Sequence, residues 1–176
     1  MKYIQKGVEP SSLSAWKIKQ GDKIPTWKSF RRTVVKEQLL ETLLQEQGYI
    51  CCYCGVAIDK GSCHIEHFKP QGTDESVRFD YFNLIVSCQG EDETQAKIPV
   101  HCGHQKDNWY DENLLVSPLI ANCTVFFRYS AAGEILPTGA STFGRNIILA
   151  VQKPYYMVHL KKAIRQKWML PYQLKK

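Results

Sequence analysis

The chain has no stretch approaching the roughly 18 consecutive apolar residues that cross a bilayer. Its opening, MKYIQKGVEPSS, also lacks the apolar core of a secretion signal. A membrane-embedded or exported protein is therefore not expected, and the expected location is the cytoplasm. Internal repeats and low-complexity tracts are missing too, which argues against solenoids and linker-like chains. With 44% hydrophobic and 11% aromatic residues, the 176-residue chain lies outside the disordered regime. It has the length of one domain with extensions. Acid is absent in one region: 151–176 contains no Asp or Glu, while Lys153, Lys161, Lys162, Arg165, Lys167, Lys175 and Lys176 alternate with Tyr155, Tyr156, Trp168 and Tyr172. Within a net charge of +6, that tail suits a sequence-independent phosphate footprint, or equally a solvated helix face.

What the chain does have is cysteine, seven of them. In a reducing cytoplasm they are better explained as thiolate metal ligands than as disulfides. Cys51 and Cys54 form a C-x-x-C followed directly by Gly55, a tight turn that lets two thiolates approach one ion. The second pair expected is Cys88 with Cys102, completing a four-cysteine structural zinc site, with the acidic insert between them looping out over the surface. His101 competes with Cys102 and Cys52 with Cys51, whereas Cys63 and Cys123 read as small buried hydrophobes.

The rest of the chain divides around this centre. Residues 1–25, punctuated by Pro10, Gly21 and Pro25, read as an irregular arm. Thr26 caps an amphipathic helix carrying Trp27, Phe30, Val34, Val35, Leu39, Leu40, Leu43 and Leu44 inward, and Gly48 ends it. Residues 49–105 hold six of the seven cysteines and four of the five histidines. Thr124 to Tyr129 and Glu134 to Leu136 read as a short hairpin, and 138–176 as a basic helical segment.

Between the two halves of the cysteine set lies His64-Ile65-Glu66-His67-Phe68-Lys69-Pro70. A neutral imidazole can take a proton from water at physiological pH, and a neighbouring carboxylate is a hard ligand for Mg²⁺ or Mn²⁺. Strand alternation sends His64 and Glu66 to one face and His67 to the other, so Glu66 and His67 converge only at a bulge or strand end.

The order Cys51-x-x-Cys54, Glu66-His67, Asn83-Leu84, Cys88, Cys102 and Lys106 resembles the zinc-clamped ββα-metal (His-Me finger) core of HNH endonucleases. More narrowly, Ile65 to Pro70, Tyr81-Phe82-Asn83-Leu84, Ser87-Cys88, His101-Cys102-Gly103 and Leu115 to Leu119 are similar to the HNH subunit of Septu-type anti-phage defence systems. Those systems pair the nuclease with an ABC-type ATPase, and some are tied to retrons. The resemblance implies an α+β fold, with a ββα-metal core, flanking helices and a short hairpin in 26–137. It also implies a phosphodiester hydrolase acting on DNA or RNA. In it His67 is the general base, Glu66 a catalytic-metal ligand and Asn83 the residue that orients the base. Where many such proteins carry Asn or His after the last cysteine, this chain has Gly103. His104 is then the leading second metal ligand, with Asp107 and Asn108 as competitors. Lys106 reads as phosphate-facing or solvated, and His64 as a supporting residue. The alternative is a non-catalytic zinc ribbon that binds nucleic acid or protein, which accounts for the cysteines but not for Glu66, His67 and Asn83.

Overall fold

A computed structural model describes residues 1–22, 25–90, 101–130 and 135–138. The basic segment expected at 138–176 lies outside the described residues from 139 onward, as does most of the acidic insert. Among the described residues no helix is long and apolar enough to cross a membrane.

Among the described residues, four α-helices precede or frame two small sheets. α1 spans Ser11–Gln20, α2 Trp27–Phe30, α3 Val34–Gln47 and α4 Cys102–Lys106. β1 (Cys63–His67) pairs antiparallel with β2 (Leu84–Cys88), in a register that sets Cys63 against Cys88 and His67 against Leu84. β3 (Phe127–Tyr129) pairs with β4 (Ile135–Pro137), so the expected hairpin strands are present. The result is a mixed α+β fold with two-stranded sheets, compatible with a zinc-binding domain.

Two elements differ from the sequence reading. Residues 11–20, expected within an irregular arm, form α1, which starts at Pro10 with Leu13 fully buried. Its periodicity is faint because Ile18 points outward at 79% exposure, leaving Leu13 and the partly buried Trp16 as the inward positions. The single helix expected after Thr26 is two. Thr26 Oγ1 accepts from Ser29 N at 3.2 Å and caps α2, and Thr33 Oγ1 accepts from Lys36 N at 3.3 Å and caps α3. Thr33 is extended (φ −98°, ψ 153°), so the chain leaves the helix and re-enters it at a second cap. Gly48, left-handed at φ 64°, ends α3 as expected.

α3 buries Leu39, Leu40, Leu43 and Leu44 against β2, all five residues of which are buried. Gln47 ties the two together. Its amide donates to Ile50 O and Val86 O, both at 2.9 Å, and accepts from Val86 N at 2.6 Å. The side chain thus stands in for a neighbouring strand on the free edge of β2. Trp16, Trp27, Phe30 and Phe79 form an aromatic group continuous with this core, with paired ring centroids 4.7–5.7 Å apart. This cluster seats α2 beside the end of β1.

Candidate metal centre and adjoining cleft

Cys51, Cys54, Cys88 and Cys102 come together as the sequence predicts. All four are buried, and their sulfurs lie within 4.8 Å of one another. Gly55, at φ 73°, makes the tight turn after Cys54, with its N–H bonded to Cys51 O at 3.0 Å. Cys88 closes β2 and Cys102 opens α4. The insert between them returns to its own base, where His101 N donates to Gly90 O at 3.1 Å.

The Cys54 and Cys88 sulfurs are 3.9 Å apart, close to the roughly 3.8 Å edge of a tetrahedron with zinc–sulfur bonds of about 2.3 Å. Burial raises a thiol, yet the facing sulfurs of Cys102, Cys52, Cys54 and Cys88 hold Cys51 well below the usual thiol range. The sulfurs of Cys51 and Cys54 in turn push Cys102 well above it. Four sulfurs this close cannot all ionise without a cation among them, so the donor set fits a soft divalent ion such as zinc. His101 Nδ1 sits 3.1 Å from Cys102 Sγ and 3.8 Å from Cys88 Sγ, beside the cluster rather than in place of Cys102. Cys52, Cys63 and Cys123 are buried outside it.

Next to the cluster opens a cleft of about 580 Å³, walled by Trp27, His64, Glu66, His67, Gly103 and His104. His67 is the last residue of β1, and at that strand end it shares the cleft with Glu66 despite the alternation. His67 Nε2 lies 3.0 Å from the carbonyl of Arg78, which can only accept, so the ring proton sits on Nε2 and Nδ1 is the acceptor. Burial lowers the His67 pKa; the Arg78 carbonyl and the Glu66 charge oppose that shift only in part. Trp27 packs edge-on against the imidazole at 4.4 Å.

Glu66 is 7% exposed and its two oxygens face different partners. Oε1 accepts from Tyr53 Oη at 3.0 Å and pairs with Lys106 Nζ at 3.0 Å. Oε2 faces His64 Nε2 at 3.5 Å. Burial alone would raise this carboxyl, but the His64 contact and the Lys106 ammonium outweigh it and hold it below the usual range. Burial and the Glu66 charge push Tyr53 well up, so its hydroxyl stays a donor.

No family model matches the chain, and no curated protein matches it.

Asn83 is buried but does not wall the cleft. Its Oδ1 accepts from Lys69 N at 2.8 Å, and its Nδ2 donates to Lys69 O at 2.9 Å and to Val77 O at 3.1 Å. It therefore fastens the loop whose next residue, Arg78, contacts His67 through its carbonyl. His104, Asp107 and Asn108 all border the cleft. Lys106 corrects the sequence reading: at 1% exposure it faces Glu66, not solvent or phosphate. Trp27, Tyr53 and the Arg78 carbonyl also border these groups, although the sequence reading did not point to them. Trp27 left a signal, since it directly follows the Thr26 cap. The other two depend on tertiary contacts with no local pattern.

Proposed function

We propose that the chain is a metal-dependent HNH-type nuclease that hydrolyses phosphodiester bonds in DNA or RNA. In this reading β1, β2 and α4 are the ββα unit, and a four-cysteine zinc site clamps it. What carries the reading is the convergence of Glu66 Oε2 and a tautomer-fixed His67 on one cleft directly beside the cysteine cluster.

Glu66 would hold the catalytic Mg²⁺ or Mn²⁺, with a second donor from the same wall. Such an ion, when bound, neutralises charge on the phosphate and on the leaving oxygen. The protein's part is to activate water. His67 Nδ1 takes a proton as the water oxygen attacks phosphorus, the bond to the ester oxygen breaks, and the leaving oxygen takes a proton from solvent, giving a phosphate monoester and a hydroxyl end. Low basicity keeps the imidazole neutral and ready, and the Arg78 carbonyl holds its orientation. A second cleft, of about 370 Å³, shares Trp27 and Gln71 with the first and is lined by Lys28 and Arg31, cations suited to the flanking backbone, and by Arg78, which is paired with Glu75.

A non-catalytic zinc module explains the four thiols equally well. It gives no reason for a buried carboxylate aimed into a cleft beside an oriented imidazole. We further propose, on the resemblance of Ile65 to Pro70, Tyr81 to Leu84 and His101 to Gly103 to Septu HNH subunits, that the chain is the effector of such an anti-phage defence complex with an ABC-type ATPase, in some cases retron-associated.

The test is cleavage of duplex DNA, single-stranded DNA and tRNA, with and without Mg²⁺ and the ATPase. His67→Ala is expected to lose about 10²-fold or more of the rate while keeping its zinc. Undiminished cleavage by that variant would sink the assignment. Tight zinc binding with no Mg²⁺- or Mn²⁺-dependent cleavage of any substrate would favour the binding module.

A further inference from the structure

Gly103 is where α4 comes closest to the polar face of β1. A Cβ at this position would stand 2.6 Å from His64 Nε2 and 2.8 Å from Glu66 Oε2, nearer than real atoms approach. Both obstructing atoms are side-chain ends, so the missing Cβ leaves room for these two groups rather than for backbone. His64 and Glu66 are two apart on β1 and share a face, as strand alternation requires.

The two groups are prepared unequally. Glu66 Oε1 is occupied by Tyr53 and Lys106, while Oε2 is turned to His64 Nε2 at 3.5 Å. His64 Nδ1 is buried without a hydrogen-bond partner, so Nε2 carries the ring's polar contact with the site. Two donors bound to one divalent ion at about 2.0–2.2 Å stand about 3.0–3.5 Å apart, and this pair has that separation.

His104 does not take the same place. Its ring lies over that of His64, centroids 4.6 Å apart and planes 16° from parallel, which sets it face to face with the imidazole. Among the described residues, the one set of three or more His, Cys, Asp or Glu donors close enough to share an ion is the four-cysteine cluster.

We propose that His64 Nε2 and Glu66 Oε2 form a two-donor site for a hard or borderline divalent cation such as Mn²⁺ or Mg²⁺, with Gly103 as the residue that opens it. The remaining coordination positions go to water and substrate oxygens, the usual habit of such ions. The inference deepens the nuclease reading by assigning its second metal donor to His64 instead of His104.

The experiment is Mn²⁺ titration of the full, zinc-loaded chain, followed by calorimetry and by the Mn²⁺ paramagnetic resonance signal, with zinc content and melting temperature recorded for each variant. His64→Ala and Gly103→Ala are each expected to weaken Mn²⁺ binding about tenfold or more, and His104→Ala to stay within about threefold of the native chain. His64→Gln keeps a side-chain oxygen donor at the same strand position and is expected to recover most of the affinity that His64→Ala loses. Native-like Mn²⁺ binding by folded His64→Ala overturns the proposal, as does a loss confined to His104→Ala or no Mn²⁺ binding by the native chain. Cleavage with His64-independent Mn²⁺ binding would remove this site and leave the nuclease. His64-dependent binding without cleavage of any nucleic acid would do the reverse.

Discussion

Lys106 is buried at 1% exposure, and its Nζ is shared among Glu66 Oε1, His67 O at 3.2 Å and Asp107 O at 3.3 Å. One side chain thereby anchors the carboxylate and the end of the strand bearing the imidazole. Removing one member of a buried ion pair strands the other, at a cost of about 3–5 kcal/mol, whereas removing both often costs far less. Lys106→Met is accordingly expected to lower unfolding free energy by about that amount in urea denaturation, and Glu66→Gln in the same chain to recover part of it. Equal loss in the single and double variants would show that packing of the lysine stem, not the charge, is what matters. A solvated or phosphate-facing lysine, the sequence expectation, would leave stability nearly unchanged.

At the scale of elements, one amide serves the middle of the free edge of β2, between Lys6 Nζ on Leu84 O and Cys88 N on Cys51 Sγ. Gln47 satisfies Val86 N and helps satisfy the carbonyls of Ile50 and Val86, inside a layer where α3 and β2 exclude water. Gln47→Leu keeps the volume but leaves the buried N–H without a partner. It is expected to cost about 1–3 kcal/mol, read from the shift in urea midpoint at unchanged slope. Hydrogen exchange at Val86 should accelerate with it. The leucines of α3 and the hairpin strands were legible because their periodicity is local. The break at Thr33 was not, since Phe30 and Val34 keep helical spacing across it and only the extended backbone of Thr33 reveals a second cap. The same contrast holds within the site. The four cysteines and the strand-end position of His67 could be read from spacing and chemistry. The division of Glu66 between one oxygen held by Tyr53 and Lys106 and another facing His64 could not, because Tyr53 reaches it from the turn after α3 and Lys106 from α4.

For the whole molecule, the decisive connection runs through the sulfur cluster. Cys51 and Cys54 follow α3, Cys88 ends β2 and Cys102 begins α4, so one ion would join three segments distant in sequence. α4 has five residues, far short of the length at which a helix holds by itself. Its other ties include Ser87 Oγ, which accepts from Gly103 N at 3.0 Å, Lys106, which reaches Glu66 and His67 O, and the His104 ring stacked on His64. Gly103, His104 and Lys106 all ride on this helix, so the cleft is only as stable as the cluster. Because metal binding to a thiolate site is folding free energy, stripping zinc with a strong chelator is expected to lower the melting temperature and to release α4 first. Amide exchange across 102–106 should rise before that of Leu84 to Val86, and Mn²⁺ affinity at the cleft should fall with it. Cys102→Ser should reproduce this order at full zinc supply, since it removes the ligand nearest α4 while Cys51, Cys54 and Cys88 remain. Simultaneous loss of β2 and α4 protection would instead mean that the cluster holds the entire α3–β2 core, and that the cleft has no separable stability.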